Sequence, residues 1–222
     1  MDPNAPPQDP GKVILVDKPL QWTSFDVVKK LKFALKVKKI GHAGTLDPLA
    51  TGLLILCTGK KTKEIESYQA QEKEYTGTFT IGATTASYDL ESEPENAVDY
   101  SHITEADLTH AANSLTGTLE QVPPLFSAVK IDGKRAYVHA RKGEEVTLKS
   151  RKVEISTFEL SHIHLPQVSF KIVCSKGTYI RSIARDFGEL LGVGAYLSEL
   201  RRTRIGDFKV EDASTIEELT TK

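Results

Sequence analysis

The chain has 222 residues, 39% of them apolar and 27% charged, which suits one large core or a core with an appendage. With 29 basic and 30 acidic side chains the formal net charge is -1, so no overall field draws the protein to nucleic acid or membrane, and any basic surface has to be local. No apolar run approaches the roughly 20 residues of a membrane span. The two cysteines, Cys57 and Cys174, sit in apolar contexts that favour buried, reduced thiols in a cytoplasmic protein over a disulfide or a zinc site.

Residues 1–11 are rich in proline and polar side chains and lack the apolar core of a signal peptide, so they read as a loose tail. Residues 12–16 are β-branched and apolar and are closed by Asp17-Lys18-Pro19, the pattern of a strand ending in a turn. A helix follows, capped by Thr23 or Ser24, with Asp26 in its first turn and Phe25, Val28, Leu31 and Leu35 as its apolar stripe. Its outer face carries Lys29, Lys30, Lys32, Lys36, Lys38 and Lys39. Such a face is most often a solvated surface, but this one leads into residues 41–52, Gly-His-Ala-Gly-Thr-Leu-Asp-Pro-Leu-Ala-Thr-Gly, and is a candidate for phosphate contact. The glycines and Pro48 mark that stretch as irregular backbone that displays one carboxylate, Asp47.

Residues 53–57 form a continuous apolar run, as in a strand buried on both faces. A short helix is expected over 60–68 and an alternating strand over 73–82, with Tyr75 near its start. Residues 83–99 turn polar and read as a long surface loop, and Thr104 opens a helix with Asp107 at capping-box spacing. Further on, the pattern predicts a turn at Asp132-Gly133, a basic helical piece through Ala136, His139 and Arg141, and strands over 153–160 and 168–173. Next come a helix with a stripe of Ile180, Ile183, Ala184, Phe187, Leu190 and Leu191, an arginine-rich strand over 195–208 and a final helix over 214–219.

From residues alone, the chemistry stays open. Asp47 and Asp89 are compatible with paired-carboxylate hydrolysis, the six histidines show no metal-ligand spacing, and neither a nucleophile elbow nor a complete dinucleotide fingerprint is present. Residues 39–54, Lys-Ile-Gly-His-Ala-Gly-Thr-Leu-Asp-Pro-Leu-Ala-Thr-Gly-Leu-Leu, closely resemble the signature of the TruB-type tRNA pseudouridine-55 synthases, relatives of the catalytic subunit of box H/ACA guide-RNA particles. Val16-Asp17-Lys18-Pro19 is similar to that family's first motif and Lys73-Glu74-Tyr75 to its tyrosine motif. Residues 82–89 are similar to its Gly-x-x-Thr-x-(Thr/Ser)-x-Asp loop, residues 174–186 to its arginine motif, and residues 194–202 to its Leu-x-x-Leu-Arg-Arg segment.

The resemblance implies an α+β pseudouridine synthase fold, a mixed and mainly antiparallel sheet flanked by helices with an inserted subdomain. It implies isomerisation of the T-arm uridine of tRNA to pseudouridine without cofactor or metal. Asp47 is then the essential carboxylate, as nucleophile at C1′ or base at C2′, Arg181 keeps it ionised, and Tyr75 stacks on the uracil and assists proton removal from C5. Tyr179 and Leu200 line the pocket, Lys18 supports it, His42 enters the space left by the extruded base, and Asp89 contacts that base or its neighbours. Arg141, Lys142, Arg201 and Arg202 join the helix lysines as candidate phosphate contacts.

Departures from the family pattern are Ser92 in place of a glycine, and Ala86 and Ser87 where more polar residues or threonine are usual. The chain is expected to hold a tail (1–11) and one catalytic domain (12–222) without a full C-terminal RNA-binding domain, and to act as a cytoplasmic monomer on tRNA. It is expected to need no membrane and no obligatory protein partner. A binding protein that kept the fold without the reaction would not require Asp47, Tyr75 and Arg181 together. A guide-directed synthase is disfavoured by the absence of evident docking extensions.

Overall fold

A computed structural model of the chain describes residues 10–127, 130–131, 134–135 and 148–221. The expected tail lies outside them except for its last two residues. The turn at Asp132-Gly133, the helical piece through Ala136, His139 and Arg141, and Lys142 also lie outside them.

The first elements are β1 (Val13–Lys18), α1 (Ser24–Ala34), β2 (Ile40–Ala43), β3 (Ala50–Thr58), a 3-10 segment (Gly59–Glu64), α2 (Ile65–Ala70) and β4 (Lys73–Ile81). Then come α3 (Glu105–Ser114), β5 (Gly117–Gln121), the short β6 (Lys130–Ile131) and β7 (Lys134–Arg135), β8 (Arg151–His164) and β9 (Gln167–Cys174). The chain continues with α4 (Ile180–Leu191), β10 (Ala195–Ile205), β11 (Phe208–Lys209), a 3-10 turn (Val210–Asp212) and α5 (Ile216–Thr220). These are the mixed α and β elements of an α+β protein. The chain divides into two compact units, residues 1–75 with 201–222 and residues 76–200.

In the first unit β3 is the central strand. It pairs antiparallel with β1, from Val13 opposite Cys57 to Lys18 opposite Gly52, and with β2, from Ile40 opposite Thr58 to Ala43 opposite Ile55. Because side chains alternate along a strand, Leu54 and Leu56 join Val16, Val27, Leu31 and Ile216 on one face. Leu53, Ile55 and Cys57 join Ala43, Ile205 and Val210 on the other. The continuous apolar run is therefore a strand buried on both sides, and Cys57 is a buried free thiol.

Helix α1 starts with a full capping box: Thr23 Oγ accepts from the Asp26 N–H and the Asp26 carboxylate accepts from the Thr23 N–H. Its buried positions are Ser24, Val27 and Leu31, flanked by Val28 and Leu35. Phe25, assigned to the stripe from sequence, is instead 68% exposed. Two residues of helix turn the chain about 200°, so with Val27 inward Phe25 points away. The irregular segment is also shorter than expected, since Gly41 and His42 belong to β2.

In the second unit β4 lies between β10 and β9, and β8 and β5 follow in order. β8 and β9 form an antiparallel hairpin whose two-residue turn is Leu165-Pro166. Phe79, Phe158, Phe170 and Phe187 form one ring cluster, with Phe79 and Phe170 centroids 4.2 Å apart. Helix α4 buries Ile180, Ile183, Ala184 and Phe187 and ends at Gly192 in the left-handed conformation (φ 73°). Leu190, placed on the stripe from sequence, is exposed. Gly188 fits because a Cβ there would lie 2.1 Å from the Ala195 nitrogen.

Candidate active site

Asp47 lies on the six residues between β2 and β3, and both of its neighbours are held by their backbones. The buried Ser24 hydroxyl accepts from the Leu46 N–H at 2.8 Å and donates to the Leu46 carbonyl at 3.1 Å. On the other side the Pro48 carbonyl accepts from the Gln21 N–H at 2.8 Å and from Lys18 Nζ at 3.4 Å. The Asp47 carbonyl accepts from Ala50 N–H at 3.1 Å, which closes a turn over Pro48. The peptide groups on either side of the carboxylate are thus fixed by α1 and by the end of β1.

Lys18 is fully buried, and its ammonium also donates to the Pro19 and Trp22 carbonyls at 2.9 and 2.6 Å. Burial lowers its pKa to about 8; the Asp47 charge pulls it back up and the Arg202 charge pushes it down. Lys18 is therefore within electrostatic reach of Asp47.

Arg202 is 1% exposed, with Nε donating to the Leu53 carbonyl at 2.7 Å and Nη2 to the Gly44 carbonyl at 3.1 Å. Expected as a phosphate contact, it instead fastens both ends of the Asp47 loop from inside. Gly52 (φ 98°) allows this, because a Cβ there would lie 2.3 Å from the Arg202 carbonyl oxygen. Arg201, the other expected phosphate ligand, is bidentate to Asp17 at 3.0 and 2.7 Å. His42 is half-buried on β2 opposite Leu56; burial lowers its pKa, a hydrogen bond with the Gly44 backbone opposes this, and the Arg202 charge adds to the lowering. Burial thus favours its neutral form. Tyr75 is buried on β4.

In the second unit Arg181, Asp89 and Tyr179 gather at the start of α4. Arg181 is 4% exposed; its Nη1 donates to the Ser87 carbonyl at 3.3 Å and Nη2 to the Phe126 carbonyl at 3.0 Å, and its Nε lies 3.5 Å from Asp89 Oδ2. Asp89 Oδ1 accepts from Ser87 Oγ at 2.6 Å and from the Glu91 N–H at 3.0 Å. Asp89 is thus held within a buried ion pair with Arg181. Tyr179 precedes the helix and exchanges two hydrogen bonds with the buried Gln121 side chain, at 2.8 and 3.1 Å, while the Arg151 guanidinium covers its ring at 4.5 Å. Ser182 donates to the Val122 carbonyl at 2.8 Å. Leu200 is half-buried on β10.

Sequence reasoning missed Ser24, Gln121 and Ser182. Ser24 had a signal: two hydroxyl residues stand at a helix start that needs one cap, and Thr23 is the cap. Gln121 had none, because its partner is 58 residues away.

An anchored aspartate between two strands and a buried arginine opening a helix are thus carried on an α+β frame, and comparison with known proteins places that frame in the pseudouridine synthase class. Residues 32–180 match the model of the TruB family pseudouridylate synthase N-terminal domain, and residues 181–222 match that of the tRNA pseudouridylate synthase B C-terminal domain. The chain belongs to the TruB family of pseudouridylate synthases.

It is 54% identical over 213 residues to the tRNA pseudouridine synthase B of Flavobacterium johnsoniae, covering 93% of each chain. It is 51% identical over 217 residues to that of Chloroherpeton thalassium, covering 96% of this chain and 90% of the other. Among solved structures it resembles a chain of a Cbf5-Nop10-Gar1 complex, at 31% identity and a TM-score of 0.75 over 94% of its length. A chain of an H/ACA particle bound to a substrate RNA containing 2′-deoxyuridine gives 28% and 0.71. The chain spans about half the length of each of these two, 53% and 52%.

Proposed function

We propose that this protein converts uridine 55, in the T-arm loop of tRNA, to pseudouridine, working in the cytoplasm as a monomer with no obligatory protein partner. The observation that carries the reading is the immobilised Asp47 peptide, held through Leu46 and Pro48 on a loop within electrostatic reach of a buried cation, Lys18. Relatives at 54% and 51% identity that carry the name tRNA pseudouridine synthase B support it.

In the reaction the bond from C1′ to N1 breaks, the uracil turns, C5 bonds to C1′, the C5 proton leaves and N1 takes up a proton. Asp47 acts at C1′ as nucleophile or at C2′ as base, and its fixed peptide removes the cost of orienting it. Tyr75 stacks on the uracil and assists loss of the C5 proton, and Arg181 stabilises developing negative charge. Asp89 serves by holding Arg181, Tyr179 and Leu200 form the apolar wall, and Lys18 keeps Asp47 ionised. His42, neutral and half-buried, fills the stack that the target leaves.

The direct test is to incubate an unmodified tRNA transcript with the purified protein and map pseudouridine by carbodiimide modification and primer extension. One new stop at position 55 is expected; its absence, or stops only elsewhere, overturns the assignment.

A further inference from the structure

The face of α1 opposite its buried stripe is not explained by the fold. Phe25 and Phe33 are 68% and 86% exposed, and Lys29, Lys30, Lys32 and Lys36 are exposed with them, followed by Lys38 and Lys39. Phe25, Lys29 and Phe33 succeed one another at four-residue steps and so line one side of the helix, with Lys32 beside them, and Lys36 follows just past the helix end in the left-handed conformation (φ 52°). The helix has one carboxylate, Asp26, and it is engaged with the Thr23 N–H and hydroxyl as half of the capping box. Among the described residues none of these lysines forms an ion pair.

We propose that this outer face of α1 is an RNA-docking surface, on which the lysines neutralise phosphates and Phe25 and Phe33 each stack on an unpaired base. The occupant is argued from charge and from ring exposure. A row of exposed cations, none of them in an ion pair among the described residues, is complementary to a polyanion even on a chain of net charge -1. An aromatic ring left bare beside such a row is the arrangement that holds single-stranded nucleotides, since every base has a face to stack. A duplex groove would engage the lysines and leave both rings in water, so the surface selects loop or end nucleotides over paired stem.

Helix α1 is also the element whose Ser24 hydroxyl holds the Leu46 peptide next to Asp47. RNA docked on the outer face is therefore registered, through one rigid helix, against the loop that carries the chemistry. The inference rests on the RNA substrate assigned under the proposed function, and it adds a contact that the site residues do not supply.

The test measures equilibrium binding of a full-length unmodified tRNA transcript at several salt concentrations, in Asp47→Asn protein so that turnover does not enter. Two combinations are added to it: Phe25→Ala with Phe33→Ala, and Lys29→Glu with Lys32→Glu and Lys36→Glu. All positions are exposed, and unchanged thermal melting verifies the fold. The phenylalanine pair is expected to weaken binding about tenfold or more with the salt slope unchanged. The lysine set is expected to weaken it at least as much and to flatten the log–log salt slope by about two to three.

Wild-type affinity and slope in both would overturn the proposal. So would loss of binding to phosphatidylserine vesicles with tRNA binding intact, which would assign the face to a lipid surface. Failure of the wild-type protein to form pseudouridine, with α1-dependent binding retained, would refute the proposed reaction and leave the docking surface standing.

Discussion

Ser24 Oγ accepts a hydrogen bond from the backbone N–H of Leu46 and donates one to the carbonyl of the same residue, across 22 positions of sequence. One buried hydroxyl thereby fixes both polar groups of the residue that precedes Asp47. Ser24→Ala leaves a buried N–H and C=O without this partner, at a cost of about 1–3 kcal/mol. It is expected to lower kcat at least tenfold while the affinity for tRNA changes less than threefold, because the carboxylate is present but less firmly oriented. Denaturant unfolding and single-turnover kinetics measure the two effects. Lost stability with unchanged kcat would reduce Ser24 to a packing residue.

Lys18 is expected to move stability and activity in opposite directions with pH. Its folded pKa, about 8, lies below the 10.5 of an unperturbed lysine, so the folded protein releases this proton first. The cost of burying the ammonium is present in full below pH 8 and is relieved as pH rises to about 10.5, so this residue's share of the unfolding free energy increases with pH, by about 3 kcal/mol over the window. Over the same interval the cation within electrostatic reach of Asp47 loses its charge, and activity is expected to fall. Wild type is expected to show an alkaline limb in its rate profile near pH 8, and Lys18→Met a lower rate without that limb. An unshifted limb in the variant would assign the titration to another group.

Arg181 and Asp89 form a buried pair in which each carboxylate oxygen has a defined duty. Asp89→Asn retains the shape and an oxygen to accept from Ser87 and the Glu91 N–H, but removes the negative charge 3.5 Å from the Arg181 guanidinium. Breaking a buried pair this way costs about 3–5 kcal/mol. Calorimetry or denaturant titration should find a loss of that order, larger than for Asp89→Asn combined with Arg181→Met, in which both charges are gone. Equal losses would mean that the two charges are not coupled.

The fold was legible where a signal is local. The Thr23 and Thr104 capping boxes, the doubly buried β3, and Gly192 as a helix end all follow from short-range pattern, and the structure has them. Phe25 and Leu190 were misassigned because each falls at a spacing compatible with two phases of a helix, and only the packed neighbours choose between them. Arg201 and Arg202 look alike in sequence as surface cations. One instead pairs with Asp17, 184 residues away, and the other with the carbonyls of Gly44 and Leu53, contacts that sequence spacing does not encode. Asp47 was legible because glycines and Pro48 surround it; what holds it, Ser24 and the Lys18 ammonium, was only half so.

The role of Asp47 itself is tested most directly by release of tritium from a T-arm transcript carrying [5-3H]uridine at position 55, for wild type and Asp47→Asn side by side. Formation of the C5–C1′ bond expels the label, so release reports the isomerisation itself. Wild type is expected to release it, and Asp47→Asn to release essentially none while binding the RNA with an affinity within about threefold of wild type. Equal release by the two proteins would contradict the assignment of Asp47.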